Sequence, residues 1–159
     1  VTDLIHLDLD IQYAVDLPDL PTKSDLKLWV TQALIGRREQ AELVIRIVNE
    51  IEGAALNYQY RHKPGPTNVL SFPFTALPQV PIFFIGDLII CATVVAEEAA
   101  DQRKTLKAHW AHIVIHGVLH LIGYDHDTTL HTQIMEELEQ QILKKLGYPD
   151  PYLELTTAP

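Results

Sequence analysis

At 159 residues and 18.0 kDa, with 47% apolar and 21% charged residues, the chain has the size and make-up of one globular domain and is not wholly disordered. A formal charge of −9 argues against a nonspecific polyanion binder, and the single cysteine, Cys91, excludes an internal disulfide framework or a cysteine-rich zinc ribbon. The first fifteen residues carry Asp3, Asp8 and Asp10 without Lys or Arg and do not read as a signal peptide, and the longest charge-free stretch, Pro64 to Gly86, holds five prolines and cannot form a membrane helix. The expectation is a cytoplasmic protein.

In chain order, Leu4 to Tyr13 alternates with period two from Leu7 and predicts a half-buried strand. Pro21 to Asp25 opens a helix with Thr22 or Ser24 as cap; Leu26, Trp29, Val30, Ala33 and Leu34 form its apolar face, and Gly36 closes it. Glu42 to Val48 alternates as a second strand, Glu50 to Arg61 is a helix weakened by Gly53, and Asn68 to Phe72 is a short strand between Pro66 and Pro73. After a proline-rich loop over Thr75 to Pro81 come a fourth strand, Ile85 to Ala92, and a short helix, Val94 to Arg103. Leu106 to Ile122 is apolar nearly all round, which predicts a buried central helix. Thr128 to Leu146 is the last helix, with Leu130, Ile134, Leu138, Ile142 and Leu146 at i+4 steps and Gly147 at its end. This order predicts a single α+β domain over residues 1–150, a mixed four-stranded sheet packed with about five helices, followed by a loosely held tail over 151–159.

Charge is unevenly placed. Gly53 to Gly86 and Gln102 to Tyr124 contain no Asp or Glu, yet hold Arg61, Lys63, Arg103, Lys104, Lys107 and five of the eight histidines. Either both segments are simply buried, or they form a locally positive cleft in an acidic shell; the histidines favour the cleft.

The informative segment runs from His116 to His126. His116 and His120 are four apart, so on a helix their imidazoles share one face a turn apart, the spacing of two ligands on one metal. Gly123 can take the left-handed conformation that ends the helix and lets the chain bring His126 back to the pair. Three neutral nitrogens around Zn²⁺ leave a fourth position for water, whose pKa such a metal lowers to about 7. His109 and His112 lie on the same broad face and read as packing or supporting residues rather than ligands. The spacing matches the metzincin pattern H-E-x-x-H-x-x-G-x-x-H, except that Gly117 replaces the glutamate base, which argues against peptide hydrolysis by that route. A glycine inside the ligand helix also implies that backbone or substrate comes close there.

This motif, with Leu56-Asn57-Tyr58-Gln59-Tyr60-Arg61, Pro66-Thr67-Asn68-Val69-Leu70-Ser71-Phe72-Pro73, Gly86-Asp87-Leu88 and Ala108-His109-Trp110-Ala111-His112, resembles the YbeY family of bacterial single-strand-specific endoribonucleases. The resemblance implies a role in ribosomal RNA maturation, notably at the small-subunit 3′ end, and in ribosome quality control. It implies a zinc ion on His116, His120 and His126, with Arg61 as the functional arginine, and a zincin-like ligand helix. Its expected partners are single-stranded RNA and the small ribosomal subunit or its proteins, with no membrane or DNA partner. The family usually has an aspartate where this chain has Pro64, so the loop after Arg61 is expected to differ.

In such an enzyme Arg61 suits a charge clamp on the phosphate, because guanidinium matches phosphate bidentately. Lys63 and Tyr124 are candidate substrate contacts; Tyr124 could stack a base, while Phe72 fits core packing better. Asp125 either orients a ligand imidazole or is simply a turn aspartate. Two rivals remain: a metzincin-like zinc peptidase, and a non-enzymatic ribosome-associated module whose metal is structural. Three histidines without a fourth protein ligand argue against a closed structural site.

Overall fold

A computed structural model describes residues 5–74 and 83–153; the proline-rich loop expected at Thr75 to Pro81, and the tail from residue 154, lie outside the described residues. The elements are β1 (His6–Tyr13), α1 (Lys23–Leu34), β2 (Gln40–Val48), α2 (Glu50–Arg61), β3 (Val69–Pro73), β4 (Phe84–Cys91), α3 (Ala92–Asp101), α4 (Leu106–Leu121) and α5 (Thr129–Lys145). Each expected element is present, with ends displaced by a residue or two. Local chemistry explains the helix starts. Thr22 accepts from the Asp25 N–H while the Asp25 carboxylate accepts from the Thr22 N–H, a reciprocal capping box. Asn49, Thr105 and Thr128 cap α2, α4 and α5 one-sidedly, each side chain accepting a backbone N–H of the first turn.

The sheet is mixed, in the order β1-β2-β4-β3: β1, β2 and β4 run parallel and β3 pairs antiparallel to β4. Register sets Ile11 beside Ile45, Ile45 beside Leu88 and Ile47 beside Ile90, so the apolar side chains gather on one face. The opposite face carries Arg46, whose guanidinium donates to both carboxylate oxygens of Glu52 on α2, at 2.6 and 3.0 Å. Helix α4 closes the core on the apolar face, flanked by α1, α3 and α5. From Ala108 to Leu121 every residue is buried except His112, His116 and His120, which form a slightly exposed stripe at i+4 steps. A helix buried on all its other sides thus presents one narrow imidazole edge.

The i+4 row of α5 lies only partly on its buried face: Leu130 and Ile134 are 63% and 43% exposed, while Ile142 joins Met135, Glu139 and Leu143 on the buried side. Steps of four residues turn about 40° too far at each repeat, so a strict i+4 row winds off the contact face. What comes close at Gly117 is neither substrate nor backbone but side chains of the sheet: a Cβ would lie 2.8 Å from Leu88 Cδ2 and 3.4 Å from Val69 Cγ2. Among the described residues, no helix is long and apolar enough to cross a membrane.

Candidate metal centre

The C-terminal end of α4 builds the centre. The N–H of Tyr124 returns to the carbonyl of Leu119 at 3.0 Å, and Gly123, at φ 106°, turns the chain through a conformation that a side chain would resist. Asp125 then accepts from the His126 N–H at 2.8 Å, fixing the next bend. As a result His126 faces the helix pair, with ring centroids 4.9 Å from His120 and 6.0 Å from His116.

The Nε2 atoms of His116 and His120 stand 3.2 Å apart, and one ring nitrogen from each of the three histidines lies within 4.8 Å of the others. Two ligand nitrogens at Zn–N distances of 2.0–2.1 Å in a tetrahedron are separated by about 3.3 Å. The donor set and its spacing therefore fit one divalent metal bound by His116, His120 and His126. Burial lowers the pKa of His120, and the neighbouring His116 and His126 lower it further, which favours the neutral form that ligates.

Behind His116 lies a carboxylate that the sequence reading passed over. Glu139, on α5, is fully buried; its Oε2 is 3.2 Å from His116 Nδ1, its Oε1 is 2.6 Å from His112 Nε2, and the Tyr152 hydroxyl donates to Oε1 at 2.8 Å. Burial pushes the Glu139 carboxyl up, but hydrogen bonds from His112 and His116 and their charges outweigh it and hold the group at about 2. Burial raises the Tyr152 phenol well above its ordinary range, with the Glu139 charge adding to it. Tyr152 belongs to the segment read as loose tail. Its hydroxyl is tied to Glu139, and the preceding Pro151 carbonyl accepts from Lys104 Nζ at 2.7 Å. Asp125, the carboxylate expected to support a ligand, has Oδ1 3.9 Å from His120 Nδ1, beyond hydrogen-bond range.

His116, His120 and His126 border a cleft of about 930 Å³ whose other walls include Arg38, Arg61, Phe72 and Tyr124. Arg61 is the last residue of α2; His62 caps the helix in the left-handed region, and the buried Asn57 side chain donates to the Gly65 carbonyl at 2.8 Å, setting the loop that contains Pro64. Tyr60 meets Phe72 edge-on at 5.1 Å on the same wall. Among the described residues, Asp125 is the one carboxylate on the lining. Lys63 is exposed and does not line the cleft. The expected grouping of all five basic residues is not what folding produces. Lys107 pairs with Asp25 at 3.7 Å and lies, by helical rise, about 20 Å along α4 from His120. Lys104 is engaged at Pro151, while Arg38, from outside the acid-free segments, joins the cleft instead. His109 packs apart from the three, with Nε2 2.9 Å from Glu98, whose carboxylate also accepts from Asn68.

A family model described as Endoribonuclease YbeY matches residues 15–147 of this chain. The fold is similar to the solution structure of TM1509 from Thermotoga maritima, with a TM-score of 0.57 and 23% identity over 90% of this chain and 99% of that one. That likeness is one of fold.

Proposed function

This chain belongs to the endoribonuclease YbeY family, and on that premise we propose that it is a metal-dependent, single-strand-specific endoribonuclease. Its proposed substrate is ribosomal RNA, cut in the cytoplasm during maturation of the small-subunit 3′ end and during ribosome quality control, with the small subunit or its proteins holding the substrate. The catalytic unit is taken to be residues 1–150. The observation that carries this reading is the triad of His116, His120 and His126 lining a cleft that, among the described residues, has two arginines and a single carboxylate.

His116, His120 and His126 would hold the metal, with zinc the best match to an all-imidazole set. When bound, that ion supplies a Lewis acid that offsets charge on the phosphate or lowers the pKa of a water. The remaining work falls to side chains of the cleft. Arg61 makes no ion pair with the described residues, so its planar fork is available to take two non-bridging phosphate oxygens. Tyr124 offers a ring to a splayed base, which a duplex cannot supply, and Lys63, outside the cleft lining, would serve only a phosphate beyond the cleft. Asp125 shapes the turn that delivers His126.

The test is incubation of metal-replete protein with matched single-stranded and duplex RNA. Cleavage of the single strand alone, lost on chelation and in His116→Ala, is expected. Cleavage that survives both treatments would remove the metal from the reaction.

Binding to isolated RNA should be weak. Among the described residues two arginines line the cleft, in a chain whose overall charge is −9, so only a few phosphates can be neutralised. A salt titration with a short unstructured strand should give a log–log slope equivalent to roughly 2–4 contacts, at about −0.7 per phosphate. A slope steeper than about −5 would require a basic track along the RNA.

A further inference from the structure

We propose that Glu139 is a positioning residue that fixes the tautomer and aim of His116 as a metal ligand, and that Tyr152 supports it from the C-terminal segment. The inference rests on the reading that His116, His120 and His126 hold a metal. An imidazole that ligates through Nε2 must keep its proton on Nδ1, and what lies at Nδ1 decides whether it does. An ionised carboxylate can only accept, so Glu139 Oε2, 3.2 Å from His116 Nδ1, requires the proton to stay on that nitrogen. The Nε2 lone pair is then left free to ligate beside His120, whose Nε2 is 3.2 Å away.

Of the three ligand rings, His116 is the one with a carboxylate within hydrogen-bond distance among the described residues; the carboxylate nearest His120 Nδ1 is 3.9 Å off, and His120 has the Tyr124 backbone as its neighbour instead. The anchor is rigid because Glu139 is fully buried and both of its oxygens are used. Oε2 serves His116, while Oε1 takes His112 at 2.6 Å and the Tyr152 hydroxyl at 2.8 Å. Tyr152 is itself held by its neighbour: the Pro151 carbonyl accepts from Lys104 Nζ at 2.7 Å. The C-terminal segment, α5 and the turn before α4 thus converge on one imidazole.

His112, His116 and Glu139 also fall within the reach of a single ion. The His112–Glu139 separation of 2.6 Å decides against that use. Two ligand atoms sharing a zinc at 2.0–2.2 Å would stand about 3.0–3.4 Å apart, whereas 2.6 Å is a short charge-assisted hydrogen bond.

The experiment measures Co²⁺ affinity by chelator competition, the Co²⁺ ligand-field absorption spectrum and the melting temperature of the metal-free protein. It compares wild type with Glu139→Gln, Tyr152→Phe and His120→Ala. Glu139→Gln should bind Co²⁺ about 10- to 100-fold more weakly and shift the absorption bands, a change that loss of packing alone would not produce in a folded protein. Tyr152→Phe removes one hydrogen bond and should cost about fivefold in affinity, with the metal-free melting temperature nearly unchanged. A folded Glu139→Gln with wild-type affinity and spectrum would overturn the proposal. If Glu139→Gln does not fold, wild-type affinity in Tyr152→Phe overturns it instead. Failure of the underlying reading is distinct: wild type would then take up no Co²⁺, or His120→Ala would leave uptake intact.

Discussion

Replacing Arg61 by alanine should lower cleavage of single-stranded RNA about 10²- to 10³-fold, the usual cost of removing one preorganised electrostatic contact to developing charge. Metal content and melting temperature should stay at the wild-type level. Arg61 is exposed at the C-terminus of α2, outside the hydrophobic core, and makes no ion pair with the described residues, so little of the fold depends on it. Its position does not depend on its own contacts. The left-handed cap at His62 and the Asn57–Gly65 hydrogen bond hold the helix end and the loop beyond it. Arg61→Lys should recover only part of the loss, because a flexible point charge replaces a two-pronged donor. The measurement is single-turnover cleavage with metal content and melting run in parallel. Wild-type rates in Arg61→Ala would assign this arginine to the solvated surface, and a parallel loss of metal would make its role structural.

What could be read in the sequence was local in sequence. The ligand histidines fall within eleven residues, on one helix and the turn that ends it, so their meeting follows from helical geometry and one left-handed glycine. The four strands and five helices were readable for the same reason: period-two alternation, capping residues and apolar faces are each set within a few positions. Glu139 was not readable. It is 23 residues from His116, and a lone glutamate on an amphipathic helix ordinarily faces water. The apolar row from Leu130 to Leu146 pointed attention to a face that is partly solvated, while the acidic residue sat on the buried one.

Charge behaved similarly. An acid-free run of sequence does not become a positive surface unless the fold brings its cations together. Arg61 reaches the cleft, but Lys104 and Lys107 are spent at the far end of α4, on Pro151 and Asp25. Arg38 arrives at the cleft from the connection between α1 and β2, which no count along the chain would single out. Only the sheet order, with β4 between β2 and β3, explains how a segment after α1 can border the same space as the end of α4.

Restoring the glutamate of the metzincin pattern, by Gly117→Glu, should abolish folding rather than create a peptidase. Residue 117 follows a ligand by one position, about 100° around the helix, and faces the sheet while the histidine stripe faces the cleft. Even a methyl group there would stand 2.8 and 3.2 Å from the two Leu88 methyls, and because Leu88 is fully buried its side chain could give way only by shifting its core neighbours. Gly117→Ala gains about 1 kcal/mol of helix propensity but meets an overpacking cost of about 1–3 kcal/mol, so it should be destabilised by roughly 1 kcal/mol. Glutamate adds a carboxylate with no polar partner in that part of the core, several kcal/mol more, against a total stability of about 5–15 kcal/mol for a domain. Thermal melting of the metal-free proteins should therefore show a modest decrease for Gly117→Ala and no cooperative transition for Gly117→Glu. A soluble Gly117→Glu that melts like wild type would mean that α4 can move off the sheet. In that case the absence of a base beside His116 would no longer follow from packing, and the peptidase reading would regain its footing.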